Sequence, residues 1–170
     1  LDNIRNEKIE PSDLQTLNSR VGKNYDEDKA VITLTSTNRV ARDINETMLA
    51  QMQEPDYKFE GTVNGDFNVE KFSNTERILH LRTGAQVMFT RNDSSKRWVN
   101  GTLGKVDKII DGRISVKLND GSTHWVERVT WEKVKYAYNK TTKATEKRVT
   151  GTFTQFPLKL AWAITIHKSQ

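Results

Sequence analysis

The sequence contains no cysteine and no long hydrophobic run. The absence of Cys among 170 residues excludes a disulfide-stabilised scaffold and zinc held by thiolates. No stretch approaches the roughly 18 consecutive apolar residues of a membrane-spanning helix, so we expect no membrane partner. With 35% hydrophobic and 29% charged residues, the chain has the length for one domain or two small intertwined ones.

A phosphate-binding loop is also missing. The pattern Gly-x-x-x-x-Gly-Lys-Ser/Thr does not occur. The nearest string, residues 101–106, has the wrong spacing, lacks the final hydroxyl and lies among predicted strands. The three histidines are scattered, and no spaced carboxylates suggest an acid–base or metal site. We therefore predict no catalytic residue and no metal site in this chain.

The charge that is present has one sign. A formal net charge of +5 favours a polyanionic partner, because each cation placed on a phosphate releases counterions. The densest basic and aromatic stretch comprises Trp131, Lys133, Lys135, Tyr136, Tyr138, Lys140, Lys143, Lys147 and Arg148. Nucleic-acid bases stack on such rings for about 1 to 3 kcal/mol each. A solvated hairpin with ordinary strand aromatics explains the same pattern.

The first firm elements are a strand and a helix. Residues 30–35 form a short β-branched run that predicts a strand buried in a parallel sheet, and Ser36, Thr37 and Asn38 supply capping residues. Apolar residues then recur at helical spacing up to Pro55: Val40, Ala41, Ile44, Met48, Leu49 and Met52. The polar residues 1–28 are predicted to be a leading linker with a loose helix near 13–18.

Short strands separated by turns are predicted from residue 79 to residue 153. The strands fall at 86–89, 104–110, 113–118 and 123–126, and the turns between them contain Asn-Gly or Asp-Gly. Asp-Gly between alternating strands is a strong hairpin pattern. Strands at this spacing suggest a small antiparallel barrel. One or two further strands are expected around Asn64-Gly65.

An apolar run, residues 160–166, precedes four polar residues at the end of the sequence. Its apolar residues would cover much of the circumference of a helix, which predicts a helix buried in a layered α/β domain. The role of this helix would be to position the polar residues that follow it. Natural chains usually end in polar, poorly ordered residues, whereas here a hydrophobic element leads directly into a compact polar loop that needs more protein after it. We therefore expect these 170 residues to be a piece of a larger protein.

Three blocks resemble one protein family. Residues 165–170, Thr-Ile-His-Lys-Ser-Gln, resemble the T-x-H-K-S-Q segment of the fifth helicase motif in superfamily-one DNA helicases of the Pif and RecD branch. Residues 34–39 with Ile44 and Asn45 resemble the strand, turn and helix that open the second motor domain of Pif helicases. Residues 84–93 and 99–104 resemble the start of its inserted barrel.

The resemblance implies an α/β fold, in which a partial RecA-like motor domain of the P-loop NTPase type is interrupted by a small SH3-like antiparallel β-barrel. The expected divisions are a leading segment (1–28), the first part of the second motor domain (29–78), the inserted barrel (79–153) and a truncated return to the motor domain (154–170).

The resemblance further implies an ATP-dependent helicase that moves 5′ to 3′ on single-stranded DNA and unwinds duplex. ATP and Mg²⁺ would serve the parent protein, with no cofactor on this chain. The partners would be single-stranded DNA, duplex junctions and the missing first motor domain. The location would be intracellular: cytoplasmic in a bacterium, nuclear or mitochondrial in a eukaryote. In the family the phosphate loop lies upstream and the arginine finger downstream, so this chain alone is expected to be inactive.

The residues that would contact DNA by this resemblance are Thr35, Thr37, Asn38, Thr165, His167 and Lys168. Ser169 and Gln170 would approach the nucleotide cleft. Hydroxyl and imidazole groups can bind a phosphate without reading sequence, and a helix N-terminus presents N–H groups to an anion. Helix capping explains Thr37 or Asn38 equally well.

A second candidate contact is the rim of the predicted barrel, formed by Arg91, Asn92, Arg97 and Trp98. An exposed aromatic beside cations suits base stacking, although Trp98 could instead plug the barrel end.

Two rival functions fit the same sequence. One is a non-enzymatic nucleic-acid-binding barrel, in which residues 79–153 act alone. The other is a structural or partner-binding domain whose basic charge is incidental.

Overall fold

The computed structural model describes residues 2–22, 31–72, 74–139 and 144–166. The helices are α1 (Asp2–Arg5), α2 (Pro11–Asn18), α3 (Asn38–Gln51) and α4 (Val69–Phe72). The strands are β1 (Thr33–Thr35), β2 (Tyr57–Glu60), β3 (Thr62–Gly65), β4 (Ile78–Leu81), β5 (Gln86–Phe89), β6 (Leu103–Ile110), β7 (Arg113–Leu118), β8 (Thr123–Val126), β9 (Val129–Asn139), β10 (Ala144–Gln155), β11 (Leu158–Leu160) and β12 (Ala163–Thr165). Within the described residues, no helix combines the length and apolar character needed to cross a membrane.

Helix α3 forms where the periodic pattern predicted it. The Thr37 hydroxyl accepts a hydrogen bond from the Val40 N–H at 3.3 Å, which satisfies one of the first-turn amides. Ala41 and Leu49 are buried, whereas Val40 and Met48 stay partly exposed. The helix ends before Pro55, in agreement with the sequence.

Strand β1 is shorter and more exposed than the sequence predicted. It is three residues long and pairs in parallel with β12, with Thr33 opposite Ala163 and Thr35 opposite Thr165. The parallel pairing is confirmed, but Leu34 is 55% exposed, so the expectation of a buried strand is wrong for the described residues. The reason is that β1 and β12 form a sheet of only two described strands.

The largest sheet has five antiparallel strands in the order β11-β5-β6-β7-β8. Its β5 to β8 strands match the predicted ones to within one residue, because local turn residues define them. The β6–β7 turn uses Asp111 and Gly112, with φ of 51° and 72°. Positive φ at both central residues gives a turn whose twist suits a tight hairpin.

The predicted barrel of residues 79–153 is divided among three sheets, since β4 pairs with β2 in a two-stranded sheet of its own. Strand β9 pairs with β10, and β10 pairs with β3, so these strands form a separate sheet in the order β3-β10-β9 instead of continuing from β8. Arg128 helps to turn the chain away after β8, since it donates to the Glu60 carbonyl at 2.9 Å and lies over the Phe156 ring. Among the described strands, none joins β8 to β11 to close the five-stranded sheet.

The predicted helix over residues 160–166 is wrong, because two short strands occupy this region. Strand β11 pairs with β5, and β12 pairs with β1. The Ala161 N–H donates to the Gln86 carbonyl at 3.0 Å, and the Trp162 carbonyl accepts from the Thr33 N–H at 2.8 Å. The backbone groups that a helix would pair internally are therefore paired with distant strands.

One continuous core joins half of the sixteen described elements. It contains Leu49 from α3, Phe59 from β2, Leu79 from β4 and many side chains of the five-stranded sheet. The fully buried Gln155 side chain fixes β10 to this core, since its amide donates to the Phe59 carbonyl at 2.9 Å and accepts from the Phe156 N–H at 2.9 Å. Burial of such an amide is tolerated because both of its ends are hydrogen-bonded.

Candidate DNA-binding surface

The β1–β12 edge brings together two segments that lie far apart in sequence. Thr35 lies opposite Thr165 in the parallel pair, so both strands end at the same edge of the sheet. The turn of residues 36–37 and helix α3 begin at this edge on one side. The chain after Thr165 leaves from the same edge, on the other side. We call the surface formed by residues 36–40 and Ile166 the strand-end surface.

Thr35 and Thr165 are buried beneath the strand-end surface. The Thr35 hydroxyl lies 3.1 Å from the Thr37 carbonyl and 3.3 Å from the Ile164 carbonyl. It is therefore engaged inside the protein, and its geometry fits a residue that positions the turn. Both threonines, which the sequence predicts to contact DNA, therefore lie beneath the surface in this structure.

Thr37 and Asn38 are exposed at the start of α3. Thr37 acts as the N-cap, which resolves the choice that the sequence left open between Thr37 and Asn38. Asn38 occupies the first helical position, and its side chain faces solvent. The N-terminus of a 14-residue helix carries a partial positive charge, so an anion placed here is favoured.

Asn45 holds α3 against the edge and was assigned no role from sequence. Its side chain donates to the Ala163 carbonyl and accepts from the Ala163 N–H, both at 2.9 Å. These two hydrogen bonds fix the position of α3 against β12. A sequence pattern pointed to it, because Asn45 lies four residues from both Ala41 and Leu49 on the buried side of the helix.

His167, Lys168, Ser169 and Gln170 lie outside the described residues. The last described residue, Ile166, is half exposed at the strand-end surface.

Arg91 and Asn92 lie in the loop between β5 and β6 and are exposed. The Arg91 guanidinium donates to the Thr130 carbonyl at 2.7 Å and lies 6.0 Å from the Trp131 ring centre. The Asn92 side chain accepts from the Asn100 N–H at 2.7 Å, so it braces the loop. Both side chains retain an exposed surface, as the predicted rim requires.

Trp98 does not form the exposed part of that rim. Only 6% of its surface is accessible, and its ring stacks on Phe89 with the centres 4.3 Å apart. The Arg97 guanidinium covers the ring at 4.5 Å from its centre. The alternative reading, in which Trp98 fills the end of the sheet, agrees with this burial, because apolar area is better removed from water.

Asp93 organises the β5–β6 loop. Its carboxylate accepts from the Arg97 guanidinium at 2.9 and 2.8 Å, and also from the Ser95 and Arg97 N–H groups. Hydrogen bonding from the Arg97 side chain is the main cause that lowers the pKa of Asp93 from 3.8 to about 2. The same pairing raises the pKa of Arg97. Arg97 is therefore committed to Asp93, which removes it from the candidate rim.

The described residues do not fit a Mg²⁺–ATP site. They contain no group of three or more His, Cys, Asp or Glu side chains that could hold a metal ion. The segment nearest to a phosphate loop in sequence, residues 101–105, is a turn followed by the start of β6. A phosphate loop instead precedes a helix, whose N-terminus faces the phosphates.

Comparison with known proteins agrees with the resemblance found in the sequence. No protein-family model matches the chain. The ATP-dependent DNA helicase Pif1 of Bdellovibrio bacteriovorus is 33% identical over 174 residues, which cover 100% of this chain and 37% of the helicase.

Solved structures give the same result. Pif1 from Bacteroides sp in complex with ADP-AlF4 is 34% identical, with a TM-score of 0.85, over 99% of this chain and 39% of that one. Bacteroides Pif1 bound to ssDNA has the same identity and a TM-score of 0.75, over 99% of this chain and 38% of that one. This chain thus spans well under half the length of the proteins it matches. By sequence and by fold, it belongs to the Pif1 family of DNA helicases.

Proposed function

We propose that this chain supplies part of the single-stranded DNA track of an ATP-dependent DNA helicase. The observation that carries the proposal is the parallel pairing of β1 with β12, which brings the N-terminus of α3 beside the chain that leaves Thr165. Two of the three blocks that resemble helicase motifs thereby meet at one sheet edge. A shared edge of parallel strands is where ligands bind in many α/β proteins.

Each residue of the track has a separate part in this proposal. Asn38 and the first-turn amides of α3 hold a phosphate, and His167 and Lys168 hold the next stretch of the strand. Ser169 and Gln170 face the nucleotide cleft. Thr35, Thr37 and Thr165 position these groups. None of these contacts reads sequence, because phosphate contacts fix register and orientation only.

Arg91 and Asn92 supply a second contact at the β5–β6 loop. Their exposure beside the five-stranded sheet supports this role, whereas the burial of Trp98 argues against base stacking there. We further propose that the five-stranded sheet is the inserted SH3-like unit. The bulge in β6 between Val106 and Lys108 supports that assignment, since bulges bend strands as small barrels require.

The parent protein in this proposal translocates 5′ to 3′ on single-stranded DNA inside the cell and unwinds duplex. ATP and Mg²⁺ are bound by its residues outside this chain, and its first motor domain is a partner of the strand-end surface. The names of the relatives support helicase activity, and the complex of Bacteroides Pif1 with ssDNA supports the DNA partner.

A free-standing DNA-binding barrel of residues 79–153 is less consistent with the fold. The core of the five-stranded sheet includes Leu49 and Phe59, which lie outside that range. Removing them would expose apolar surface, at a cost of about 25 cal/mol per Å².

Binding of a fluorescein-labelled oligo-dT strand across a salt series tests the proposal. We expect affinity to fall as salt rises, and to fall about fivefold for Asn38→Ala and for His167→Ala, which corresponds to the loss of about 1 kcal/mol. Gln51→Ala, at the exposed far end of α3 and about 20 Å along the helix from Asn38, serves as the control. Equal affinity for Asn38→Ala, His167→Ala and the control would refute the proposed track.

A further inference from the structure

The outer part of the β9–β10 hairpin projects from the fold. Strand β3 pairs only with residues 151–154 of β10, so beyond the bulge between Val149 and Gly151 only two strands remain. We call residues 134–138 and 144–149 the ribbon. At about 3.4 Å per residue, its six-residue strand extends about 20 Å.

The ribbon leaves its side chains in solvent. Every residue of 135–138 and 144–149 is exposed, and Tyr136 and Tyr138 are 72% and 63% accessible. A two-stranded ribbon is only marginally stable in water. Because both tyrosine rings are exposed, packing within this chain does not explain why two aromatic residues lie on the ribbon.

The pairing register puts both tyrosines on one face. Tyr136 lies opposite Lys147, and Tyr138 lies opposite Thr145. Side chains two residues apart on a strand share a face and lie about 6.8 Å apart. Each ring can therefore receive its own base instead of sharing one.

Cations lie on both faces of the ribbon. Lys147 shares the aromatic face, and its only ion pair among the described residues is an exposed one with Glu132 at 3.4 Å. Lys135 and Arg148 lie opposite each other on the reverse face, and neither forms an ion pair with a described residue. Long cationic side chains on so thin an element can reach a strand that lies along its edge.

The β9–β10 hairpin also holds most of the net charge of the chain. Residues 133–148 contain six of the 27 Lys and Arg residues but one of the 22 Asp and Glu residues. The remaining sequence therefore contains 21 of each sign and is neutral, and with Glu132 included the hairpin carries a net charge of +4 out of +5. A field concentrated in this way attracts a polyanion to one place.

We propose that the ribbon is a second nucleic-acid site, which takes unpaired single-stranded DNA. Tyr136 and Tyr138 are its stacking platforms, and Lys135, Lys147 and Arg148 contact the backbone. Single-stranded DNA is the favoured occupant because a duplex hides its base faces, and a protein partner would not need so concentrated a positive charge. The inference rests on the proposed function only in taking DNA as the polymer.

The test uses the full chain and the same labelled oligo-dT strand. Tyr136→Thr with Tyr138→Thr removes both rings but keeps strand propensity, and Tyr136→Phe with Tyr138→Phe keeps the rings. Lys135→Gln with Arg148→Gln removes a cross-strand cation pair. Lys105→Gln with Lys117→Gln is its matched control, since these exposed lysines are cross-strand partners in the β6–β7 hairpin. Circular dichroism and thermal unfolding confirm that each variant is folded.

We expect the Thr pair to weaken binding about tenfold or more, and the Phe pair to bind within about twofold of the natural chain. Log affinity falls as log salt rises, and each lost phosphate contact makes this fall shallower by about 0.7 for a single strand. The loss of Lys135 and Arg148 together should therefore reduce the magnitude of the slope by about 1.4, beyond any effect of the control. Unchanged binding by the Thr pair, equal losses from both cation pairs, or no binding by the natural chain would overturn the inference.

Asn38→Ala in the same series separates this inference from the proposed track. A loss from the ribbon variants alone supports the ribbon and counts against the track. A loss from Asn38→Ala alone does the reverse. A preference for duplex that is insensitive to the tyrosines would also overturn the inference.

Discussion

The β6–β7 hairpin and the β9–β10 hairpin follow the same local rules but differ in what lies beneath them. Both are antiparallel, both contain a bulge, and both place cations opposite cations. Four of the six residues of β7 are buried, whereas every residue of β10 before Thr150 is exposed. Strand pairing alone therefore does not determine whether a hairpin is scaffold or surface. The difference arises from the side chains that other elements place against one face.

The largest effect should come from removing apolar volume beneath β7. Ile114 is fully buried, so Ile114→Ala should lower the free energy of unfolding by about 2 to 5 kcal/mol. Tyr136→Thr in the ribbon should change it by less than about 0.5 kcal/mol. Urea unfolding of the two variants measures both values. Similar losses would mean that the ribbon packs against something and is not a free surface.

An intermediate effect is expected from the ion pairs of the two regions. Asp93 is only 7% exposed in its pair with Arg97, whereas Glu132 is half exposed in its pair with Lys147. Asp93→Asn should destabilise the chain by about 1 to 3 kcal/mol, since hydrogen bonds to a buried charge are lost. Glu132→Gln should cost less than about 0.5 kcal/mol.

The Asp93 pair also predicts a dependence on pH. The pKa of Asp93 is lowered from 3.8 to about 2, so the folded state holds the ionised form more tightly than the unfolded state does. Its contribution should be complete above pH 3.8 and should be lost as the pH falls towards 2. Asp93→Asn should abolish this part of the acid sensitivity. Identical acid unfolding of the natural chain and the variant would contradict the assignment.

The smallest effect is expected at the β6–β7 turn. Gly112 has φ of 72°, and a Cβ there would meet no atom within 4 Å, so Gly112→Ala tests backbone strain alone. We expect a loss of about 1 kcal/mol. Lys117→Ala on the same hairpin is the control, with an expected change below about 0.5 kcal/mol. A neutral result would show that the positive φ at this position causes no strain for a residue with a Cβ.

Elements defined by neighbouring residues could be predicted from the sequence. Helix α3 and strands β5 to β8 were located because Thr37, the apolar spacing and Asp111-Gly112 act over a few residues. The strands at 158–165 were missed because an apolar run reads equally well as a buried helix or a buried strand. Its pairing with β1 depends on residues about 130 positions earlier, and no local pattern carries that information.

The candidate sites show the same limit. The register that joins Thr35 to Thr165 was not predicted, since the two segments are distant in sequence and residues 160–166 were expected to form a helix. The burial of Trp98 could not be predicted from the residues next to it in sequence, because it depends on how the Arg97 side chain folds over the ring and on Phe89, which stacks beneath it. The aromatic and basic pattern near 133–148 was visible, but only the absence of packing shows that its tyrosines are free.

Hydrogen exchange of the full chain, with and without an oligo-dT strand, tests the central claim most directly. We expect DNA to slow exchange in the peptides that cover the start of α3, at residues 36–40, because their amides would bind phosphate. Peptides of the β6–β7 turn should not change, and those of the ribbon report separately on the second site. Saturating DNA without any slowing at residues 36–40 would contradict the claim that the strand-end surface holds the single strand.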